Sequence, residues 1–335
     1  MKFYVFFLIL LNVIGVLNSN GQATNLALKY NRVFEEKTIE LSQNASEYYL
    51  DWFLNGQTQK GNLLRESNLK SVQKALVDFG SEDSYSGQEN LKLAYIKFLE
   101  KLISELMKSP DSQIPDDSLL VNETTCIQSW AILSEESGRL KKEVDSYFLT
   151  NRIPARKNGF RLADQMAVAL NRMKFGNSLN RPVQRVRRKY KEFFVRLISD
   201  STTQVEASRQ ELQKICENGI AELKALLPFS GNKKPKDAAL NSMRLYRLEI
   251  VNDLPKLIQY VKKEREFVEI HRQMKAKPEA TSEEKARYKQ AVSEYNQNLK
   301  SANDFTKALE KNRLSHEAVF DKEYTDFLKE GINTI

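Results

Sequence analysis

YKQAVSEYNQNLKSANDFTKAL, residues 288–309, places Tyr288, Val292, Tyr295, Leu299, Ala302, Phe305 and Leu309 at steps of three and four. That period lines one face of an α-helix, whereas a strand would need apolar residues at every second position. Thr281 and Glu284, just upstream, form the S/T-x-x-E pattern of a capping box, so the helix has a defined start. No glycine occurs from Asn232 to Glu330. The spacing predicts a kinked helix over about 237–275, bent rather than stopped by Pro255, and a chain break at Pro278. A further piece carries Phe320, Tyr324 and Phe327.

The same period recurs toward the N-terminus. Leu26, Tyr30, Val33, Phe34 and Leu41 begin a stripe that Tyr48, Tyr49, Trp52 and Phe53 extend to Asn55-Gly56. Leu69, Val72, Leu76 and Phe79 mark a second helix ending at Gly80, before the polar loop GSEDSYSG. Leu91, Ala94, Phe98, Leu102, Ile103 and Leu106 mark a third. A fourth runs from about Leu119 to Phe148, carrying Cys126 and Trp130, with an interruption expected at Gly138. After TNRIPARKNG, a short helix ends at Gly176-Asn177, and Asn180 with Pro182 opens a basic one reaching Leu227-Pro228 past a break near Ser199-Asp200-Ser201. In 335 residues there are only 12 glycines and 8 prolines, and strand-like alternation is missing. The reading is an all-α protein, a bundle of long antiparallel helices. SPDSQIPDD (109–117) and GNKKPK (231–236) read as linkers, giving helical regions at 24–110, 118–228 and 236–335.

MKFYVFFLILLNVIGVLNSNGQA, residues 1–23, has a basic start at Lys2, an apolar run from Phe3 to Leu17, and small residues offering cleavage after Ser19, Gly21 or Ala23. That is the layout of a secretory signal peptide, and the run is short for a membrane span of about 20 residues. Secretion into the extracellular space, with no membrane span in the mature chain, is therefore expected. Asn44-Ala45-Ser46 and Asn122-Glu123-Thr124 fit the N-glycosylation pattern of an exported glycoprotein. Two cysteines, Cys126 and Cys216, would form one disulfide in an oxidising compartment. Closing a loop of about 90 residues, it would contribute about 4–5 kcal/mol and hold the helices as one interlocked body.

Enzymatic signatures do not assemble. With only His271 (in EIHRQMK) and His316 (in LSHEAVF), neither HExxH nor a multi-histidine metal cage is possible. GxGxxG, GxxxxGK[ST] and GxSxG do not occur. Carboxylate pairs such as Glu35-Glu36 and Glu283-Glu284 are accounted for as helix-start or solvated residues. The expectation is a protein that is not an enzyme, with no catalytic residue, metal site or cofactor.

Charge is the concentrated feature. The chain carries 52 Lys and Arg against 44 Asp and Glu, and residues 151–200 hold 13 basic against 3 acidic. RPVQRVRRKYKEFFVRL, residues 181–197, has seven cations and one acid, Glu192. On a helix, Val183, Val186, Tyr190, Phe193, Phe194 and Leu197 gather toward a core. Arg181, Arg185, Arg188, Lys189 and Arg196 gather on an adjoining face, with Arg187 and Lys191 on the flank. Like charges three and four apart repel slightly, so the set calls for anions. These come either from an acidic partner or from the acidic N-terminal half, residues 1–150, which holds 15 basic against 20 acidic residues. Inside a cell the partner of such a patch is nucleic acid; outside, sulfated glycosaminoglycans such as heparan sulfate present equivalent charge. VRRKYK (186–191) has the look of a linear heparin-binding cluster.

An exported, glycosylatable, all-helical chain with two cysteines and Lys/Glu-rich helices resembles the salivary secreted proteins of blood-feeding flies, and most nearly the 34-kDa salivary family of culicine mosquitoes. The resemblance covers the whole chain in layout and rests on no diagnostic motif. It implies a non-enzymatic salivary protein acting on host defence or haemostasis. Three functions follow for the residues. The chain could bind extracellular polyanions through Arg181, Arg185, Arg187, Arg188, Lys189, Lys191 and Arg196. It could carry a small apolar or amine ligand between helices, or modulate a specific host protein through its surface.

Overall fold

A computed structural model describes the backbone over residues 2–56, 58–85, 89–108, 118–154, 160–277 and 279–332, and the side chains over the same residues except 2–22, 118–121 and 331–332. The leader expected over 1–23 thus lies outside the described side chains except for Ala23, and the 109–117 linker lies outside the described residues. The described chain is all-α: α1 (Lys2–Asn55), α2 (Gln59–Ser81), α3 (Glu89–Leu106), α4 (Ser118–Thr150), α5 (Leu162–Ser199), α6 (Thr202–Ala225), α7 (Lys234–Leu248), α8 (Leu254–Lys275) and α9 (Ser282–Ile332). No strand occurs among the described residues; the single isolated bridge joins Phe229 to Asn232.

Helices form two compact units, Met1–Lys174 with Leu328–Ile335, and Phe175–Phe327. The division falls inside α5 and inside α9 rather than at a linker. In the first unit α1, α2, α3 and α4 pack together around a core rich in aromatic residues. Phe34 meets Phe79 edge-on at 4.7 Å and stacks on Tyr95 at 5.5 Å, and Tyr49 meets Trp130 at 5.3 Å. Trp130 donates its indole N–H to the Met166 carbonyl at 3.2 Å. The turn from α1 to α2 is held by local chemistry. Gly56 adopts a positive φ of 69°, Thr58 donates to Asp51 at 2.6 Å, and the Thr58 oxygen accepts the Gly61 N–H as the N-cap of α2.

In the second unit the rest of α5 packs with α6, α7, α8 and most of α9. Ser201 caps α6 in a reciprocal capping box with Gln204, which explains the expected break at 199–201. The spacing predicts one helix ending at Gly176-Asn177 and another opening at Asn180 with Pro182. Instead α5 runs unbroken, with Pro182 inside it. Gly219 of α6 faces that proline: a Cβ there would stand 3.2 Å from Pro182 Cβ and 2.5 Å from Met243 Cε. Likewise Gly138 does not interrupt α4, and Phe320, Tyr324 and Phe327 belong to α9 itself. The capping box at Thr281 is formed, with Thr281 N–H on Glu284 at 3.0 Å and Glu284 N–H on the Thr281 hydroxyl at 3.2 Å.

Pro255 has its effect one turn early. Between α7 and α8, residues Glu249–Asp253 form a π turn in which the Leu254 N–H reaches back to the Glu249 carbonyl. In that register the Ile250 carbonyl would await the N–H of residue 255, which proline lacks. Arg209 of α6 fills the place, its guanidinium donating to Ile250 O at 3.2 Å. The helix bends and continues.

Beyond the π turn, α8 and α9 form an arm. None of its described residues from Gln259 to Ala308 is buried. Its interior is a single aromatic seam: Phe267 stacks on Tyr295 at 4.2 Å, Tyr260 meets Phe305 at 6.1 Å, and His271 bonds Tyr288. Of the stripe read from 288–309, Tyr288, Val292, Tyr295, Ala302 and Phe305 are half-buried, Leu299 is exposed, and only Leu309 is buried.

The expected disulfide is not formed. Cys126 is buried in the first unit and donates to the Tyr49 carbonyl at 3.3 Å; Cys216 is buried in the second and donates to the Met243 carbonyl at 3.3 Å. Each thiol behaves as a small core residue with its own backbone acceptor. The interlocked body that the bridge was expected to create has no covalent basis.

Candidate functional site

The basic run lies on α5 within the second unit. Of the six residues expected to face the core, Val183, Val186, Tyr190, Phe193 and Leu197 are buried and Phe194 is half-buried. Pro182 and Gly219 bring α5 and α6 close together, so the cations of α5 stand beside the carboxylates of α6.

The seven predicted cations divide into three groups. Arg185 pairs with Glu222 of α6. Lys189 lies 2.7 Å from Glu192 and 3.5 Å from Glu211, and the hydrogen bond it donates to Glu192 holds its ammonium above the ordinary lysine range. Arg188 approaches the same Glu192 at 3.9 Å. Arg187 turns inward: its side chain is 14% exposed, it donates to Asp321 of α9 at 2.9 Å, lies 3.8 Å from Glu317, and covers the Phe320 ring at 5.6 Å. Arg181, Lys191 and Arg196 are exposed and make no ion pair among the described residues. The carboxylates that answer the basic helix thus come from its own unit, and not from residues 1–150 as expected. That unit still holds 30 basic against 22 acidic residues, and the other unit 22 against 22.

Around Arg187 lies a polar network that the sequence reading did not assemble. Tyr190 donates to Glu249 at 2.9 Å, Tyr246 donates to Glu317, and Arg313 lies over the Tyr190 ring at 5.0 Å and 3.9 Å from Glu317. Burial pushes the Glu249 carboxyl up to about 7, and raises the Tyr190 phenol, helped by the adjacent Glu249. One signal was available: in MRLYRLEIV (243–251), Glu249 falls three residues after Tyr246 and six after Met243, on the apolar stripe. Glu35 also departs from the solvated reading: it is buried in mid-α1 and accepts a hydrogen bond from the Asn31 amide at 2.8 Å.

Elsewhere, the sequon Asn44 is exposed, with Ser46 buried and donating to the Ser42 carbonyl at 2.6 Å, while Asn122 is half-buried. His271 and His316 share no metal-ligand cluster, and among the described residues no group of three His, Cys, Asp or Glu is arranged to hold a metal. Among them too, no helix is long and apolar enough to cross a membrane. A surface hollow of about 630 Å³, lined by Thr202, Lys262, Arg265, Glu266, Glu269 and Ile270, flanks the N-terminus of α6. No family model, curated protein or solved structure matches the chain.

Proposed function

We propose that the chain is a secreted, non-enzymatic binding protein, delivered with saliva, that engages extracellular polyanions of the heparan sulfate class and so modulates host responses. The observation that carries this reading is the exposed, unpaired set Arg181, Lys191 and Arg196 on α5, in the unit that holds the chain's whole excess of positive charge. Exposed guanidinium and ammonium groups without internal carboxylates keep their attraction for sulfate, and binding releases the polyanion's condensed counterions. Arg185, Arg188 and Lys189 lie on the same helix and reinforce the field, although each already has a carboxylate. Arg187 belongs to the interior and contributes none of the contact.

The test is elution from immobilised heparin together with the salt dependence of affinity. Replacing Arg181, Lys191 and Arg196 by Ala should move elution to lower salt and flatten the slope of affinity against salt. Unchanged elution in that triple variant would remove the reading.

A further inference from the structure

Glu249 is buried at the first position of the π turn and makes no ion pair among the described residues. Its carboxylate accepts one side-chain hydrogen bond there, from Tyr190 of α5. The charged groups facing it are few. From α9 come Arg313, committed to the Tyr190 ring and Glu317, and Glu317 itself. From its own junction comes Asp253. Across the network Tyr246 donates to Glu317, and Arg187 of α5 is held by Asp321 and Glu317. Arg209 of α6 is committed to Glu206 at 2.6 Å and to the Ile250 carbonyl. A carboxylate at this place therefore meets two other carboxylates and one cation, Arg313, which it shares with Tyr190 and Glu317.

The backbone at the same place is in a minority register. A π turn holds one residue more than an α turn and persists where packing insists on it. Here the insistence comes from the buried Glu249 side chain, Pro255, and the Arg209 contact to Ile250. We infer that Glu249 makes the α7–α8 junction a proton-sensitive hinge: neutral, it holds the π turn and seats the facing stretch of α9; ionised, it releases both. The ionised carboxylate draws Arg313 off Tyr190 and Glu317, so the loosening spreads to α9 around residues 313–320. Burial placing the group near neutrality puts the change between mildly acid and mildly alkaline conditions. This inference is independent of polyanion binding.

Hydrogen exchange of the full chain at pH 5.5 and 8.0, corrected for the pH dependence of the exchange chemistry, tests it. In the wild type, amides in 246–258 and 313–324 should lose tenfold or more in protection at pH 8.0, while amides in α1–α4 keep theirs. Glu249→Gln, which keeps the acceptor but cannot ionise, should hold protection at both values. Tyr190→Phe, which removes the donor favouring the ionised form, should move the midpoint to higher pH. A flat wild-type profile, or a Glu249→Gln profile that follows the wild type, would overturn the hinge. If Glu249→Gln does not fold by circular dichroism, an unmoved midpoint in Tyr190→Phe overturns it instead.

Discussion

Arg187 and Asp321 are 134 positions apart in sequence and 2.9 Å apart in space, and their contact ties α5 to α9 within the second unit. A residue that reads as part of a solvent-facing basic run is an internal anchor, lying over Phe320 and within 3.8 Å of Glu317. Removing its guanidinium leaves Asp321 and Glu317 without their shared cation and uncovers an aromatic ring.

Arg187→Ala should therefore lower unfolding stability by about 2–3 kcal/mol, at the modest end for breaking a partly buried pair. Heparin elution should hardly move. The opposite pattern is expected of Arg196→Ala, whose side chain is exposed and unpaired: elution shifts and stability stays within about 0.5 kcal/mol. Denaturant titration and salt-gradient elution on both variants separate the two roles.

The helical class was legible because a period of three and four survives any packing arrangement. Tyr288 to Leu309 spells one face of α9 whether or not that face is covered. What the sequence could not convey was long-range partnership. Glu222, Glu211 and Asp321 look like ordinary surface acids until α6 and α9 lie beside α5. Pro182 misled for a related reason. It reads as a helix start, yet the neighbouring Gly219 allows α6 to pack against it within a continuous helix. The cysteines misled because a pair in an export context suggests a bond, while burial in separate units gives each thiol a backbone acceptor of its own.

Both thiols should be inert in the folded protein. Burial raises Cys126 well above the ordinary thiol range and pushes Cys216 up to about 12, so neither supplies thiolate at neutral pH. A thiol-reactive chromophore should register close to zero reactive groups under native conditions and two after denaturation. Reducing agent should leave the unfolding midpoint unchanged. A midpoint that drops on reduction would restore the disulfide.

Stability should fall as pH rises through the acid-to-neutral range on account of Glu249. Its folded pKa of about 7 stands above the unfolded carboxyl value, so the folded chain binds more protons between the two. The contribution is fully present when the carboxyl is neutral in both states. It declines as pH climbs from about 4.5 to about 7, and levels off above. Glu249→Gln should remove this slope and be more stable than the wild type at pH 8, by about 2–3 kcal/mol. Urea titrations at pH 5 and pH 8 on both proteins check the sign.

Two helical glycines should respond in opposite directions. A Cβ at Gly138 in α4 would meet nothing within 4 Å, so the position carries only the entropic cost of glycine in a helix. Gly138→Ala should stabilise by about 0.5–1 kcal/mol. At Gly219 the same added atom comes 2.5 Å from Met243 Cε and 3.2 Å from Pro182 Cβ. The methionine end can swing aside, whereas the proline ring belongs to the backbone of α5 and cannot. A branched side chain fills the space that both occupy, so Gly219→Val should cost about 1–3 kcal/mol despite gaining backbone rigidity. Because α6 carries Glu211 and Glu222, pushing it away from α5 also lengthens the ion pairs of Lys189 and Arg185. Gly219→Val should thus elute later from heparin than the wild type while unfolding earlier in denaturant, a combination that a purely local clash would not produce.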